Sequence, residues 1–572
     1  MLTIPTSVVP GDLAAKLRTI ADIGFRGIDL SLKDAIAFDG DAARLVKAVG
    51  LRIAALVTPQ EQLSDALAQA KSNDVDLVVV DVTTVPIALP SLATTRLALR
   101  PTRELEYEVR ALTAHSADPL LGLALDSFEV LRDGSRPARM RDQDGTKVFH
   151  VSLLDGPLRP MLPGQGTLNL GGLARVLARA GYDGPWSTGI VSRGSDDVLN
   201  AYRSLVTVIS DAAATEPLLR NATPNLPAKV PAKGFEFIEF SVDAESAVTL
   251  EGTLSALTFR RERQHLSKQV TLWRQGAVNI VINQENTGHA GEVFANHGPS
   301  VCDMGLRVQN AAETQDRARA LGTSGFDQSV VLGELDIPAI RGVGDSVIHF
   351  IDEQSDLHRV WDIEFAPVGR AKATQPAGIR RIDHVAQTMP FDEMQSWLLY
   401  YLSTFEMTKS AIVNVADPSG TVRSQAIETP EGEVRLNLNG AADDLTFAGS
   451  FVAGNIGAGV QHIAFQTDDI FETSARLSES GFCRLQISPQ YYADTQAAFA
   501  LDDDLTGALR RGHILYDRDD GGAYFQLYGE AIFGGFFFEI VQRQGRYAGY
   551  GARNAPVRLA AQAQNRNQQG AA

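Results

Sequence analysis

Cysteine is almost missing from this chain. Cys302 and Cys483 are the two in 572 residues. They lie far apart and in no C-x-x-C spacing, which excludes a disulfide framework or thiolate zinc site and fits a reducing interior. Positive charge is short as well: 52 Lys and Arg stand against 69 Asp and Glu, a formal net charge of −17. That balance excludes nucleic acid as a partner, since phosphate binding needs clustered cations. A small-molecule substrate stays open, because one pocket can be positive on an acidic protein. No apolar run nears the roughly 20 residues of a membrane span, and Met1-Leu-Thr-Ile-Pro-Thr-Ser lacks a charged segment followed by an apolar one. A cytoplasmic protein with no membrane partner is the expectation.

What is present is chain enough for roughly three to four domain equivalents. Over residues 1–210, short apolar runs alternate with Ala- and Leu-rich segments of helical spacing, such as 12–24 with its terminal glycine. Strands are expected at 27–30, 51–57, 75–81, 121–126 and 148–152. Alternating strand and helix means parallel βα units, and the length fits an α/β barrel of TIM type with an element shortened between Pro86 and Pro101. Residues 211–233 contain Pro217, Pro224, Pro227 and Pro231, which predicts an extended linker. The tail, 557–572, has no apolar periodicity and is expected to be disordered.

From Gly234 the texture changes to aromatic and β-branched strands, and the chain repeats itself. Gly234 to Phe240 matches Gly378 to His384, His297 to Leu306 matches Gly457 to Phe465, and Val347 to Ile351 matches Phe537 to Val541. Two α+β modules are thus expected at 234–370 and 376–556. At the matched positions the first has Phe240, Asp303 and His349, and the second has His384, His462 and Glu539. A phenylalanine cannot ligate, so the first module is expected to hold no metal and the second to hold one. Glu539 sits alone among the aromatics of Ile532 to Arg543, where a carboxylate is costly to bury without a positive neighbour. Two imidazoles and a carboxylate from three strands form the facial set that suits Fe(II) and leaves coordination positions open; Mg, Mn, Co, Ni or Zn would also bind such donors. The bland competitor is two ordinary half-buried histidines.

At these residues the chain resembles 4-hydroxyphenylpyruvate dioxygenase, a family of the vicinal-oxygen-chelate superfamily built from tandem βαβββ modules. The resemblance covers about 234–556 and is densest at Gly459-Val-Gln-His462-Ile-Ala-Phe and Phe537-Phe-Glu539-Ile-Val-Gln-Arg543. It implies His384, His462 and Glu539 as metal ligands, Ser424, Asn439, Gln461 and Gln526 facing the substrate, and O2 consumed with a 2-oxo acid. The chain departs from that family in Leu445 to Ser450, which lacks the usual glutamine, and in Arg553-Asn554-Ala555, where Gly-Asn-Phe is usual. The order barrel, linker, double module is also similar to bacterial 3-dehydroshikimate dehydratases fused to a dioxygenase-like domain, through Leu125-Asp126-Ser-Phe128, Val148 to Pro157 and Pro163 to Gly166. That resemblance implies four barrel ligands, Glu, Asp, Gln and Glu. They fall near Arg100 and at Asp126, Ser152 and Gly189, with Glu129 where a histidine is usual. One ligand of four cannot hold a catalytic metal, so the barrel is expected to be silent unless Glu104, Glu106 or Glu108 supplies a displaced ligand.

The leading expectation is an Fe(II)-dependent dioxygenase acting on a 2-oxo acid or aromatic acid in aromatic-compound catabolism. One alternative is 3-dehydroshikimate dehydratase working from a relocated barrel metal site to give protocatechuate. Another is a non-catalytic binding or regulatory protein that keeps its metal. A homo-oligomer contact is among the uses open to a silent barrel.

Overall fold

The computed structural model describes residues 1–38, 41–135, 137, 147–328, 330–369 and 375–569, without the side chains of 566–569. They form two compact units, Met1–Leu226 and Pro227–Ala572.

The first unit is a closed barrel of eight parallel strands: β1 (Leu2–Pro5), β2 (Gly27–Ser31), β3 (Arg52–Pro59), β4 (Leu77–Val82), β5 (Arg96–Pro101), β6 (Leu121–Asp126), β7 (Val148–Ser152) and β8 (Trp186–Ser187). Strands covered on both faces read as continuous apolar runs, and β4, Leu-Val-Val-Val-Asp-Val, is buried along nearly its whole length. β1, β5 and β8 escape a reading of apolar runs because β5 carries an arginine near each end and β8 has two residues. Residues 83–95 join β4 to β5 without a helix. Small side chains, Ala55, Ala98 and Ala124, pack with Leu77 and Val79 inside the barrel.

The expected extended linker at 211–233 is corrected by the structure. Helix Ser195–Ala213 runs into it, and Pro217 opens a 3₁₀ turn, Pro217–Ala222, that buries Leu219. A proline's fixed φ suits the first position of a helical turn as well as an extended chain.

The second unit contains two sheets with one plan. In the first, strand Ala232–Ser241 pairs antiparallel with Ser300–Val308, which pairs parallel with Val347–Ile351. In the second, Ile379–Pro390 pairs antiparallel with Gly459–Thr467, which pairs parallel with Phe537–Gly545. Both antiparallel ladders carry a bulge at the same point. Cys302 is the extra residue between Val301↔Phe240 and Asp303↔Glu239, and Gln461 is the extra residue between Gln387↔Val460 and Ala386↔His462.

Register corrects one matched position. His384 lies opposite Ala464, whose counterpart Gly305 lies opposite Phe237. The first-module residue equivalent to His384 is therefore Phe237, three residues from Phe240, because the bulges break the simple sequence match. Phe240 instead joins the shared core, edge-on to Phe536 with centroids 5.2 Å apart.

The tail is also corrected. Helix Ala555–Gln569 buries Leu559 and Ala561. Its Ala, Leu, Gln and Arg content favours helix even without a clean apolar period; residues 570–572 lie outside the described residues. Among the described residues, no helix is long and apolar enough to cross a membrane.

Candidate functional site

The second sheet brings His384, His462 and Glu539 together. His384 Nε2 lies 3.2 Å from His462 Nε2, and each is 3.4 Å from Glu539 Oε2. All three residues are buried. Donors about 2.1 Å from one first-row ion, at angles between octahedral and tetrahedral, stand roughly 3.0–3.4 Å apart. The residues present therefore fit a divalent ion.

Each member is held in place. His384 Nδ1 is 2.9 Å from Asp383 Oδ1, and Arg543 grips both Asp383 oxygens, each at 2.9 Å. Burial works to raise the Asp383 carboxyl, but Arg543 and His384 outweigh it and hold it far below the ordinary range. Asp383 thus orients the imidazole, the role outer-sphere carboxylates play around metal-binding histidines. His462 stacks on Phe537 with centroids 4.8 Å apart, and its own Nδ1 has no hydrogen-bond partner. Burial, with His384 and Arg558 adding to it, pushes the His462 pKa well down. That direction favours the neutral ring, the form in which an imidazole ligates. Gln526 donates from Nε2 to Glu539 Oε1 at 3.0 Å and accepts on Oε1 from Asn554 Nδ2 at 2.9 Å.

Beside these residues opens a pocket of about 350 Å³, a volume suited to a small organic ligand. Ser424, Asn439, Gln461 and Gln526 all line it. Ser424 and Asn439 sit opposite each other on neighbouring strands, and Gln461 accepts from Thr388 Oγ1 at 2.8 Å. Sequence reasoning missed Asp383, Arg543, Asn554 and Arg558. The first two stand inside the motifs that gave the ligands, so the signal was the charged pair flanking them. Arg558 was lost with the misread tail, whereas Asn554 stands in the Arg-Asn-Ala departure, which was read only for the aromatic it lacks.

In the barrel, the strand ends place Arg100 on β5 with Asp81, Asp126 and Ser152 around it. Arg100 Nε is 2.6 Å from Asp81 Oδ1, and its Nη1 is 3.3 Å from Ser152 Oγ. Burial opposes its charge, but Asp81, Asp126 and Asp29 together raise its pKa. Burial pushes the Asp126 carboxyl up, with Arg100 acting against that. Deeper in the barrel Asp29 meets His150 at 3.0 Å and Ser187 at 2.5 Å.

These residues do not fit a barrel metal. Among the described residues no group of three His, Cys, Asp or Glu in the barrel converges. Gly189 offers no donor, and the guanidinium stands where the cation would be wanted. Nor is a ligand relocated: Glu106 pairs with Arg110, Glu104 reaches toward Arg132 from an exposed position, and Glu108 is exposed.

A TIM-type barrel followed by a vicinal-oxygen-chelate double module is the class that fold and site define. Residues 227–366 match the family model "Hydroxyphenylpyruvate dioxygenase, HPPD, N-terminal", and 381–525 match the "Glyoxalase/Bleomycin resistance protein/Dioxygenase superfamily". A solved "xylose isomerase-like TIM barrel/4-hydroxyphenylpyruvate dioxygenase fusion protein" superposes with a TM-score of 0.85 at 30% identity, covering 99% of each chain. The 3-dehydroshikimate dehydratase of Pseudomonas aeruginosa is 34% identical over 99% of this chain and 98% of its own, and that of Pseudomonas putida 35% identical over 80% and 76%. The chain belongs to this two-domain family of enzymes.

The kinship corrects the leading expectation. The 4-hydroxyphenylpyruvate dioxygenase of Pseudomonas aeruginosa is 31% identical but covers 56% of this chain. A dioxygenase identity for the whole protein was drawn from the better-preserved half; the full-length relatives are dehydratases.

Proposed function

We propose that the protein is a dehydratase that removes water from 3-dehydroshikimate, or a closely similar cyclic hydroxy-oxo acid, and that it works from the mouth of the barrel. The observation that carries this reading is likeness to a dehydratase over 99% of the chain. What the dehydratases share with this chain, and the dioxygenases lack, is the barrel.

Barrel chemistry belongs at the C-terminal ends of the strands, where Arg100, Asp126 and Ser152 stand. The hydrogen beside the substrate ketone is acidic, and a hydroxyl sits one carbon further on. Asp126 takes that hydrogen as a proton, and the Arg100 guanidinium holds the negative charge that moves onto the ketone oxygen. The carbon–oxygen bond then breaks, and the hydroxyl leaves as water with the proton Asp126 carries. Tautomerisation of the resulting dienone gives the aromatic dihydroxybenzoate. A guanidinium stays charged at every working pH and donates in a fixed geometry, so it serves as an oxyanion holder without a metal. Desolvation strengthens Asp126 as a base.

In the second unit we assign His384, His462 and Glu539 to a divalent ion, iron(II) first among the candidates because two nitrogens and one hard oxygen with open positions suit it. Such an ion supplies Lewis acidity toward oxygen donors. The chain's part is to fix the ligands through Asp383, Arg543 and Gln526 and to present Ser424, Asn439 and Gln461 to whatever enters the pocket.

The test is formation of an aromatic ultraviolet chromophore from 3-dehydroshikimate by the full chain. Turnover that persists in a chelator and collapses in Arg100→Met supports the reading. No aromatic product, with or without added divalent metal, removes the dehydratase; turnover that needs metal and survives Arg100→Met removes its barrel mechanism.

A further inference from the structure

The pocket beside His384, His462 and Glu539 contains a cation that a bound ion does not need. Arg558, half-buried on helix Ala555–Gln569, lines it. Its Nη1 donates to Gln562 Oε1 at 2.7 Å, and among the described residues no carboxylate stands within ion-pair distance of it. The guanidinium carbon lies 5.2, 5.7 and 6.0 Å from the ring centroids of Phe537, Tyr528 and Phe447. Those rings hold the charge by cation–π attraction and do not neutralise it. A guanidinium placed this way is ready to take a carboxylate in two-pronged fashion. The other arginine of the lining, Arg553, is exposed and lies over Phe499 at 4.7 Å. The acids of the lining are engaged elsewhere: Asp517 accepts from the Tyr547 hydroxyl at 2.8 Å, and Glu539 faces the two histidines.

A second observation also points to a polar ligand. Gln461 is 4% exposed; Thr388 donates to its oxygen, and its Nε2 has no partner. Asn437 Oδ1, in the same lining, has none either. Buried amide atoms left this way are costly until something in the pocket meets them. The guanidinium and the metal ligands share a neighbour, since His462 stacks on Phe537 at 4.8 Å, so a molecule of one ring can reach both. Ala555, one turn before Arg558 and also in the lining, leaves room beside the guanidinium.

We propose that this pocket binds a single-ring aromatic acid with two adjacent hydroxyls, its carboxylate on Arg558 and its hydroxyl oxygens toward the ion assigned to His384, His462 and Glu539. Adjacent hydroxyls offer two oxygens to the positions that three protein ligands leave open. A 2-oxo acid directs its carboxylate to the ion and leaves Arg558 unmatched. The guanidinium instead selects a ligand whose carboxylate lies across the ring from its metal-binding oxygens. Protocatechuate, the product of the proposed dehydration, has that layout. The inference rests on the dehydratase reading for the source of the ligand and on the assigned ion for one end of it.

The experiment is an anaerobic titration of the full-length protein carrying Co(II), whose visible bands report oxygen ligands entering its shell. Protocatechuate should shift those bands, and His462→Ala, which loses the ion, should show no shift. Arg558→Leu should weaken protocatechuate about 10–100-fold, the usual worth of a hydrogen bond to a charged group, and leave catechol, which has no carboxylate, unchanged. Arg558→Lys should fall between the two and decides the matter should the leucine variant fail to fold. Cobalt bound with no shift overturns the proposal. So does an unchanged ratio of protocatechuate to catechol affinity in Arg558→Leu, or tighter binding of phenylpyruvate, a 2-oxo acid, than of protocatechuate. No bound cobalt at all removes the metal assignment and the proposal with it. A shift in a protein without dehydratase turnover keeps the pocket and removes the dehydratase, so the two claims fail separately.

Discussion

The barrel mouth and the pocket of the second sheet meet one electrostatic problem with opposite solutions. Each gathers acceptor atoms out of water, where bare carboxylates and imidazoles are costly. The barrel answers with a cation of its own, Arg100, drawn to Asp81 and Asp126. The second sheet keeps its positive charge one layer back, on Arg543 and Arg435 around Asp383, and leaves three donors facing one another. A covalently attached cation fixes charge but cannot exchange ligands. Donors without one select an ion and leave its other positions to chemistry. The two regions therefore differ in whether their cation is part of the chain.

The comparison breaks most readily at the ligands. His462→Ala should remove the metal of the second sheet entirely, read as loss of one bound equivalent, while dehydration continues. If dehydration falls with the metal, the two regions do not work independently. Next in size, Arg100→Met should lower dehydration by about 10²–10³-fold, the usual cost of removing one oxyanion donor, with metal content unchanged. Arg543→Met strips the buried Asp383 of its two-pronged partner and leaves it only Arg435 at 3.4 Å and His384. It should cost on the order of 3–5 kcal/mol in unfolding free energy and weaken metal binding about 10–100-fold; a melting curve like that of wild type would show that the charged layer behind His384 is unimportant. Leu559→Ala should cost about 2–3 kcal/mol if the terminal helix packs as described, and nearly nothing if the tail is free.

The smallest effect is a pH dependence. Burial sets the Asp126 pKa above its ordinary 3.8. A base works only when ionised, so kcat/KM should rise with pH through a limb displaced upward from the usual aspartate range. Metal content of the second sheet should not follow that limb. A limb at or below the ordinary value would point to another base.

Much of this molecule could be read before any fold was known, and the failures have physical causes. The repeat, the barrel and the three donors of the second module were legible because each is written locally: buried parallel strands as apolar runs, ligands as charged or imidazole residues inside strand motifs. The tail misled because helix propensity without a clean period looks like disorder until a surface is there to bury Leu559. The short strand β8 was illegible because two residues carry no pattern. The dioxygenase expectation failed for a different reason. It weighted the half of the chain whose motifs were intact, and the barrel, where Arg100 stands in the place of a ligand, looked like loss.

By itself the sequence determined which residue types were available and the order of the domains, since composition and periodicity are properties of neighbours along the chain. Only the tertiary structure decided which residues are equivalent across the repeat, because one extra residue in a bulge shifts every later partner. It alone also showed Arg100 among carboxylates from separate strands and Asp303 among two imidazoles and Glu239. Charges interact through space, and the separations along the chain hold no record of that distance.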